Sequence, residues 1–176
     1  MKTKIITLMT LTTIMASCDM KQDNVLMNEE FETPYGVPPF EQIKYSDYVP
    51  AFEAALKSCN ETVELIVSNR NEATFENTII PFDRREIHLS TLTNILFGLR
   101  ETENCDSLLA IAEVVLPMLT SYSDDVVMNK PLFERIKRVY DTRKEAGLDS
   151  SQIRVVEKYY DDFVRNGALL SDKDQE

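Results

Sequence analysis

The chain has 176 residues, 43% of them hydrophobic, with four Gly and no Trp, enough for one domain with an ordinary core. Against 19 Lys and Arg stand 30 Asp and Glu, a formal net charge of −11. That balance repels phosphates and argues against nucleic acid or anionic headgroups as ligands of the folded part. So few glycines also leave no P-loop or dinucleotide-binding pattern, and no G-x-S-x-G occurs.

The N-terminus reads as an export signal over residues 1–17. Lys2 and Lys4 precede a mainly apolar stretch, Ile5 to Ile14, too short to be a stable membrane span, and then small residues before a cysteine, Met15-Ala16-Ser17-Cys18. Small residues directly before Cys18 fit a bacterial lipoprotein signal, in which the Cys18 thiol receives the lipid; the other reading is an ordinary signal peptide with an incidental cysteine. On the first reading the protein is exported and held on a bacterial membrane, facing the periplasm or cell envelope. Residues 18–32 are polar and acidic and read as a lipidated Cys and flexible tether. The folded region is then 33–176.

Residues 34 to 40 hold three prolines and a glycine, an ordered non-helical arm whose Tyr35, Val37 and Phe40 suggest packing. The first helix is expected from Ser46 as N-cap, with Asp47 in its first turn, to about Asn69. Phe52, Ala55, Leu56, Cys59, Val63, Ile66 and Val67 form its apolar stripe. The second should open at Thr74 and run to about Leu99, with Pro81 in or near its second turn. The third starts near Asp106, and Pro117 predicts a kink or break. Asn129 caps a fourth with Pro131 in its first turn, and Gly147 ends that segment. Asp149 or Ser150 caps a fifth, stopped by Asn166-Gly167. Ser171 would cap another helix, but no apolar run follows it. No stretch alternates like an amphipathic strand. The expectation is therefore all-α, about five helices in a helical array after a Pro-rich arm. An exported chain could pair Cys59 with Cys105; Cys59 lies on an apolar helix face and Cys105 in a loop, so free thiols are expected.

Three words carry a resemblance: Thr33-Pro34-Tyr35-Gly36-Val37-Pro38-Pro39-Phe40, then Tyr48-Val49-Pro50-Ala51-Phe52-Glu53, then Thr74-Phe75-Glu76-Asn77-Thr78-Ile79. In this order they resemble the start of the thimet-oligopeptidase-like zinc metallopeptidases, most of all the bacterial peptidyl-dipeptidases and oligopeptidase A. Ser123-Asp124-Asp125, Leu132-Phe133, and Tyr160 with Phe163-Val164-Arg165 and Gly167-Ala168 continue the likeness. The resemblance implies the N-terminal helical region of such an enzyme, part of the wall of a deep channel, with short peptides as substrates and zinc in the full-length protein.

In that family a His-Glu-x-x-His helix supplies two ligands and a base, and a further glutamate completes the site. This chain has one histidine, His88, in Arg85-Glu86-Ile87-His88-Leu89. No catalytic and no metal-ligating residue is therefore assigned, and the segment alone is expected to bind no zinc. Asp124-Asp125 and Asp161-Asp162 point in different directions on a helix and read as solvated faces. The other class of reading is a stand-alone lipid-anchored helical module that binds without catalysis.

Overall fold

Apolar residues recurring every three or four positions fold as helices with one buried stripe. In the computed structural model, which describes residues 24–103 and 105–170, six α-helices follow three short 3₁₀ turns, with no strand among the described residues. The helices are α1 (Tyr45–Ser68), α2 (Ile80–Arg84), α3 (Ile87–Thr102), α4 (Asp106–Val127), α5 (Lys130–Thr142) and α6 (Ser150–Arg165). The all-α expectation holds. The signal over 1–17, Cys18 and Ser171 lie outside the described residues.

Helix α1 packs on α3, α4 and α5, and α5 packs on α6. Its stripe buries Phe52, Ala55, Leu56, Cys59, Val63 and Ile66. Phe133 of α5 stacks on Tyr160 and Phe163 of α6 with ring centroids 5.8 Å apart in both pairs, and Phe82 of α2 meets Tyr159 edge-on at 5.0 Å. Such ring pairs add to the area they bury.

The first helix starts one residue before the expected cap. Lys44 occupies the N-cap position, and the Asp47 carboxylate accepts the Lys44 N–H at 2.9 Å. Asp47 therefore closes the first turn from inside the helix, so Ser46 is not needed as a cap. The Asp47 carbonyl in turn accepts from Asn24 Nδ2 at 2.8 Å. That bond draws the N-terminal segment onto α1, and Leu26 is fully buried there. Residues 24–32, read from composition as tether, thus carry a packed turn, Val25–Met27.

The stretch expected as one helix from Thr74 is three elements: a π-helical turn (Phe75–Ile79), α2 and α3. Pro81 has no N–H for the Asn77 carbonyl, so the α-helical ladder cannot run through it. Instead the Ile80 N–H reaches back to the Phe75 carbonyl. A turn at Arg85–Glu86 then separates α2 from α3. The break exposes the Arg85 carbonyl, which accepts from Cys59 Sγ of α1 at 3.1 Å. Pro117, by contrast, lies inside an unbroken α4. The carbonyl it leaves free is that of Glu113; both residues are exposed, so water satisfies it without a break. The remaining caps are as expected: Asn129 accepts the Leu132 N–H at 2.9 Å, and Asp149 and Gln152 form a reciprocal capping box. Gly147 and Gly167 both sit at positive φ, after α5 and α6.

The arm differs from expectation. Tyr35 is fully exposed, and Val37 and Phe40 are about half exposed. The chain instead anchors the arm at its two ends, through Phe31 and Ile43 packed on the core. Between them the Gly36 N–H donates to the Thr33 carbonyl at 3.0 Å, and Tyr35 (φ 63) and Gly36 (φ 66) both turn left-handed. This turn carries the Tyr35 ring outward.

One buried cation ties the array together. Arg135 of α5 is 7% exposed. Its guanidinium donates to the carbonyls of Asn69 (2.6 Å) and Asn71 (3.2 Å), to Asn77 Oδ1 (3.1 Å) and to Thr78 Oγ1 (3.3 Å). Every acceptor is a neutral oxygen on the link between α1 and α2. Asn77 Oδ1 also accepts the Thr74 N–H at 2.9 Å, and Asn77 Nδ2 donates to the Glu72 carbonyl at 2.8 Å. Replacing Arg135 with Met would remove the donor these acceptors share, leaving the buried Thr78 hydroxyl and the half-buried Asn69 and Asn77 oxygens without it. The Arg135→Met variant should lose about 2–4 kcal/mol in urea unfolding, the scale of breaking a buried, charge-assisted network. Lys137→Met, at a half-buried position of the same helix whose i,i+4 ion pair with Asp141 faces solvent, should shift the midpoint far less than Arg135→Met does.

Candidate functional site

The single histidine borders a cleft between the N-terminal segment and the helices. His88 lies in the first turn of α3, half-buried, between exposed Ile87 and buried Leu89. Its Nδ1 is buried and has no hydrogen-bond partner among the described residues. The cleft, about 650 Å³, lies between the N-terminal segment (Met27, Glu29, Glu30) and α1, α2 and α3. Burial holds the His88 imidazole below its ordinary pKa, while the Glu29 carboxylate and the Leu26 carbonyl pull the other way.

Two cations line the cleft, Arg84, which is exposed, and Arg85, which is already committed. Arg85 Nε donates to Tyr122 OH of α4 at 2.9 Å, a terminal nitrogen meets Glu86 at 2.6 Å, and the guanidinium plane lies 3.6 Å over the Phe82 ring. This network joins α2, α3 and α4, and through the Arg85 carbonyl it reaches Cys59 of α1. Burial raises the pKa of the Cys59 thiol and of the Tyr122 hydroxyl, so both stay protonated near neutral pH. Tyr159 of α6 closes the far side through its bond to Asp83, also with a raised pKa from burial. The hydroxyls in the cleft form no nucleophile–base pair: Thr62 donates to the Ser58 carbonyl at 3.0 Å, and neither residue bonds His88. The contacts described around the cleft join α1, α2, α3 and α4.

Cys105 and Cys59 are both free thiols, Cys59 buried as its apolar face implied. Cys105 stands at the N-cap of α4, with its Sγ 3.4 Å from Tyr45 OH. The Tyr45 hydroxyl and the first backbone N–H groups of α4 lower the Cys105 pKa. Neither this pair nor the Arg135 junction stood out in the sequence. Arg135 does carry a signal, a cation on the apolar face of α5 among Leu132, Ile136 and Val139.

Zinc of the His-Glu-x-x-His type requires two histidines, and the chain has one. Among the described residues no three His, Cys, Asp or Glu side chains are grouped so as to hold a metal ion. The residues present do not fit a zinc centre.

No family model matches the chain. Curated relatives do. Dipeptidyl carboxypeptidase of Salmonella typhimurium is 30% identical over 142 residues, 81% of this chain and 21% of that protein. The Escherichia coli dipeptidyl carboxypeptidase is 31% identical over the same length. The chain belongs to the dipeptidyl carboxypeptidase and oligopeptidase A family. Oligopeptidase A of Escherichia coli is 29% identical over 150 residues, 85% of this chain and 22% of its own length. The chain thus spans about a fifth of the length of these relatives.

With one histidine the pH response of this fold is simple to isolate. A pKa held below its unfolded value of about 6.5 means that the unfolded state binds more protons in that range. The His88 contribution is therefore present above about pH 6.5 and lost as pH falls through the folded pKa. Urea unfolding at pH 7.5 and 5.5 should show a smaller acid-side loss for His88→Gln than for the wild type. Equal losses would remove His88 from the pH response.

Proposed function

We propose that the chain is the N-terminal helical region of a zinc-dependent peptidyl-dipeptidase or oligopeptidase and forms part of the wall of a channel that admits short peptides. One observation carries this reading. The likeness to dipeptidyl carboxypeptidases and oligopeptidase A covers 81–89% of this chain but about a fifth of each relative. The chain has one histidine, and among the described residues no group of His, Cys, Asp or Glu fits a zinc centre. On this reading the helices supply shape, the peptide bond is cut by residues outside these 176, and the segment alone is inactive. The acidic net charge suits a soluble wall surface and argues for no nucleic-acid partner.

The purified 176-residue chain should hold no stoichiometric zinc by elemental analysis and release no dipeptide from an N-blocked oligopeptide. Chelator-sensitive dipeptide release by the pure chain would sink the reading. In the positive direction, residues 24–170 substituted for the matched segment of the Escherichia coli dipeptidyl carboxypeptidase should give an active, zinc-dependent chimera. A folded but inactive chimera would contradict the assignment.

The export signal over residues 1–17 belongs to the same proposal, with Cys18 carrying the lipid that holds the protein on a bacterial membrane. A single acyl chain binds only marginally, whereas the two chains of a diacylglycerol on Cys18 hold an acidic protein with no further membrane-binding surface. Expressed in bacteria, the wild type should sediment with membranes and Cys18→Ala should be released to the soluble fraction. A wild-type chain found wholly soluble would remove the anchor.

A further inference from the structure

The family signature has two halves, and the folded chain treats them differently. Thr74 to Ile79 is consumed internally: Thr74 caps the π-helical turn, Asn77 closes the capping box, and Thr78 is fully buried against Arg135. The Pro-rich half is turned outward. Tyr35 has full exposure, and Val37, Phe40 and Tyr45 are about half exposed. Tyr35 is also the only non-glycine residue at positive φ among those described. A bulky residue in that backbone region is strained; the Gly36 N–H on the Thr33 carbonyl and Thr33 Oγ1 on the Val37 carbonyl close the turn around it, while the Tyr35 ring itself stays fully exposed. Displayed aromatic residues on a rigid, proline-stiffened arm are the usual anchors of an interface.

We propose that the arm from Thr33 to Tyr45 is the docking surface for the catalytic part of the same peptidase. This inference rests on the reading given under Proposed function. The occupant follows from two observations. The chain spans about a fifth of its relatives, so about four fifths of such an enzyme is available to cover the arm. The arm's exposed charges beside the aromatic residues are of both signs, Glu41 and Lys44 within it and Glu32 at its edge. The receiving face is therefore an apolar groove that takes rings, with a rim of mixed charge. A second copy of this chain is the competing occupant, and sedimentation below separates it. An anionic bilayer is disfavoured by the net charge of −11.

The test compares one pair of substitutions in two settings. Tyr35→Asn keeps a residue that tolerates the left-handed backbone, and Phe40→Ser removes the second ring. In the isolated chain the double variant should shift the melting temperature by less than about 2 °C, as surface changes do. In the chimera with the Escherichia coli enzyme it should lower the melting temperature by at least about 5 °C and weaken dipeptide release about tenfold. Leu65→Ser, at another exposed apolar position on α1, should do neither. A chimera that keeps its melting temperature and activity with the altered arm overturns the docking surface and leaves the peptidase reading standing. A folded chimera that is inactive with either arm overturns that reading instead. If the chimera does not fold, the isolated chain decides by sedimentation and by nitration of Tyr35. A monomer whose Tyr35 nitrates as fast as a free tyrosyl peptide supports an arm awaiting its partner. A dimer dissociated by the double variant, or a Tyr35 slow to nitrate, overturns the proposal.

Discussion

The buried guanidinium of Arg135 is the constraint from which the rest of this fold can be built. A cation taken out of water must find acceptors, and here it finds four neutral oxygens on the connection between α1 and α2. These four bonds, which leave Nε without a partner among the described residues, fix where that connection runs and hold α5 against it. It also fixes Asn77, whose side-chain oxygen serves Arg135 and the Thr74 N–H together. With Thr74 to Ile79 placed, Pro81 forces the π-helical turn and the short α2, and the turn at Arg85–Glu86 follows. Arg85 then repeats the device on the other side, linking Phe82, Glu86 and Tyr122 while its carbonyl takes the Cys59 thiol. Two arginines, Arg135 within α5 and Arg85 at the turn between α2 and α3, set the relative positions of most helices.

That organisation explains what a family signature means in this chain. The word Thr74-Phe75-Glu76-Asn77-Thr78 reads as a motif, and motifs invite a chemical role. Its threonine and asparagine are instead hydrogen-bonding hardware for a helix start, and its second threonine faces a buried cation. The word marks architecture. The lone histidine sits at a junction of helices with a depressed pKa, and no metal-holding group of His, Cys, Asp or Glu surrounds it among the described residues.

Much of the fold was legible in the sequence because it rests on local rules. Stripes of apolar residues predicted the helices, and Asn129, Asp149, Gly147 and Gly167 act as their punctuation implied. What was not legible depends on distant partners. The break at Arg85–Glu86 is tolerable only because Cys59, 26 residues earlier, supplies a donor for the freed carbonyl. The continuity of α4 through Pro117 depends on which face meets water. Asp47 replaces Ser46 at the first helix start because a carboxylate one turn in can reach back to Lys44. The Pro-rich arm misled for the opposite reason: its aromatic residues do suit packing, but within the described chain nothing covers them. Nothing in the one-dimensional pattern separates a ring that fills its own core from one that waits for another surface.

The central claim is that the inward half of the signature builds this domain and the outward half addresses the remainder of an enzyme. Amide hydrogen exchange measures both halves at once, in the isolated chain and in the chimera with the Escherichia coli dipeptidyl carboxypeptidase. The account predicts that the amides of residues 75–80 are strongly protected in both, while those of residues 33–42 exchange quickly in the isolated chain and become protected only in the chimera. Arm amides that are already as protected as residues 75–80 in the isolated chain, or that stay fast in a folded, active chimera, would contradict it.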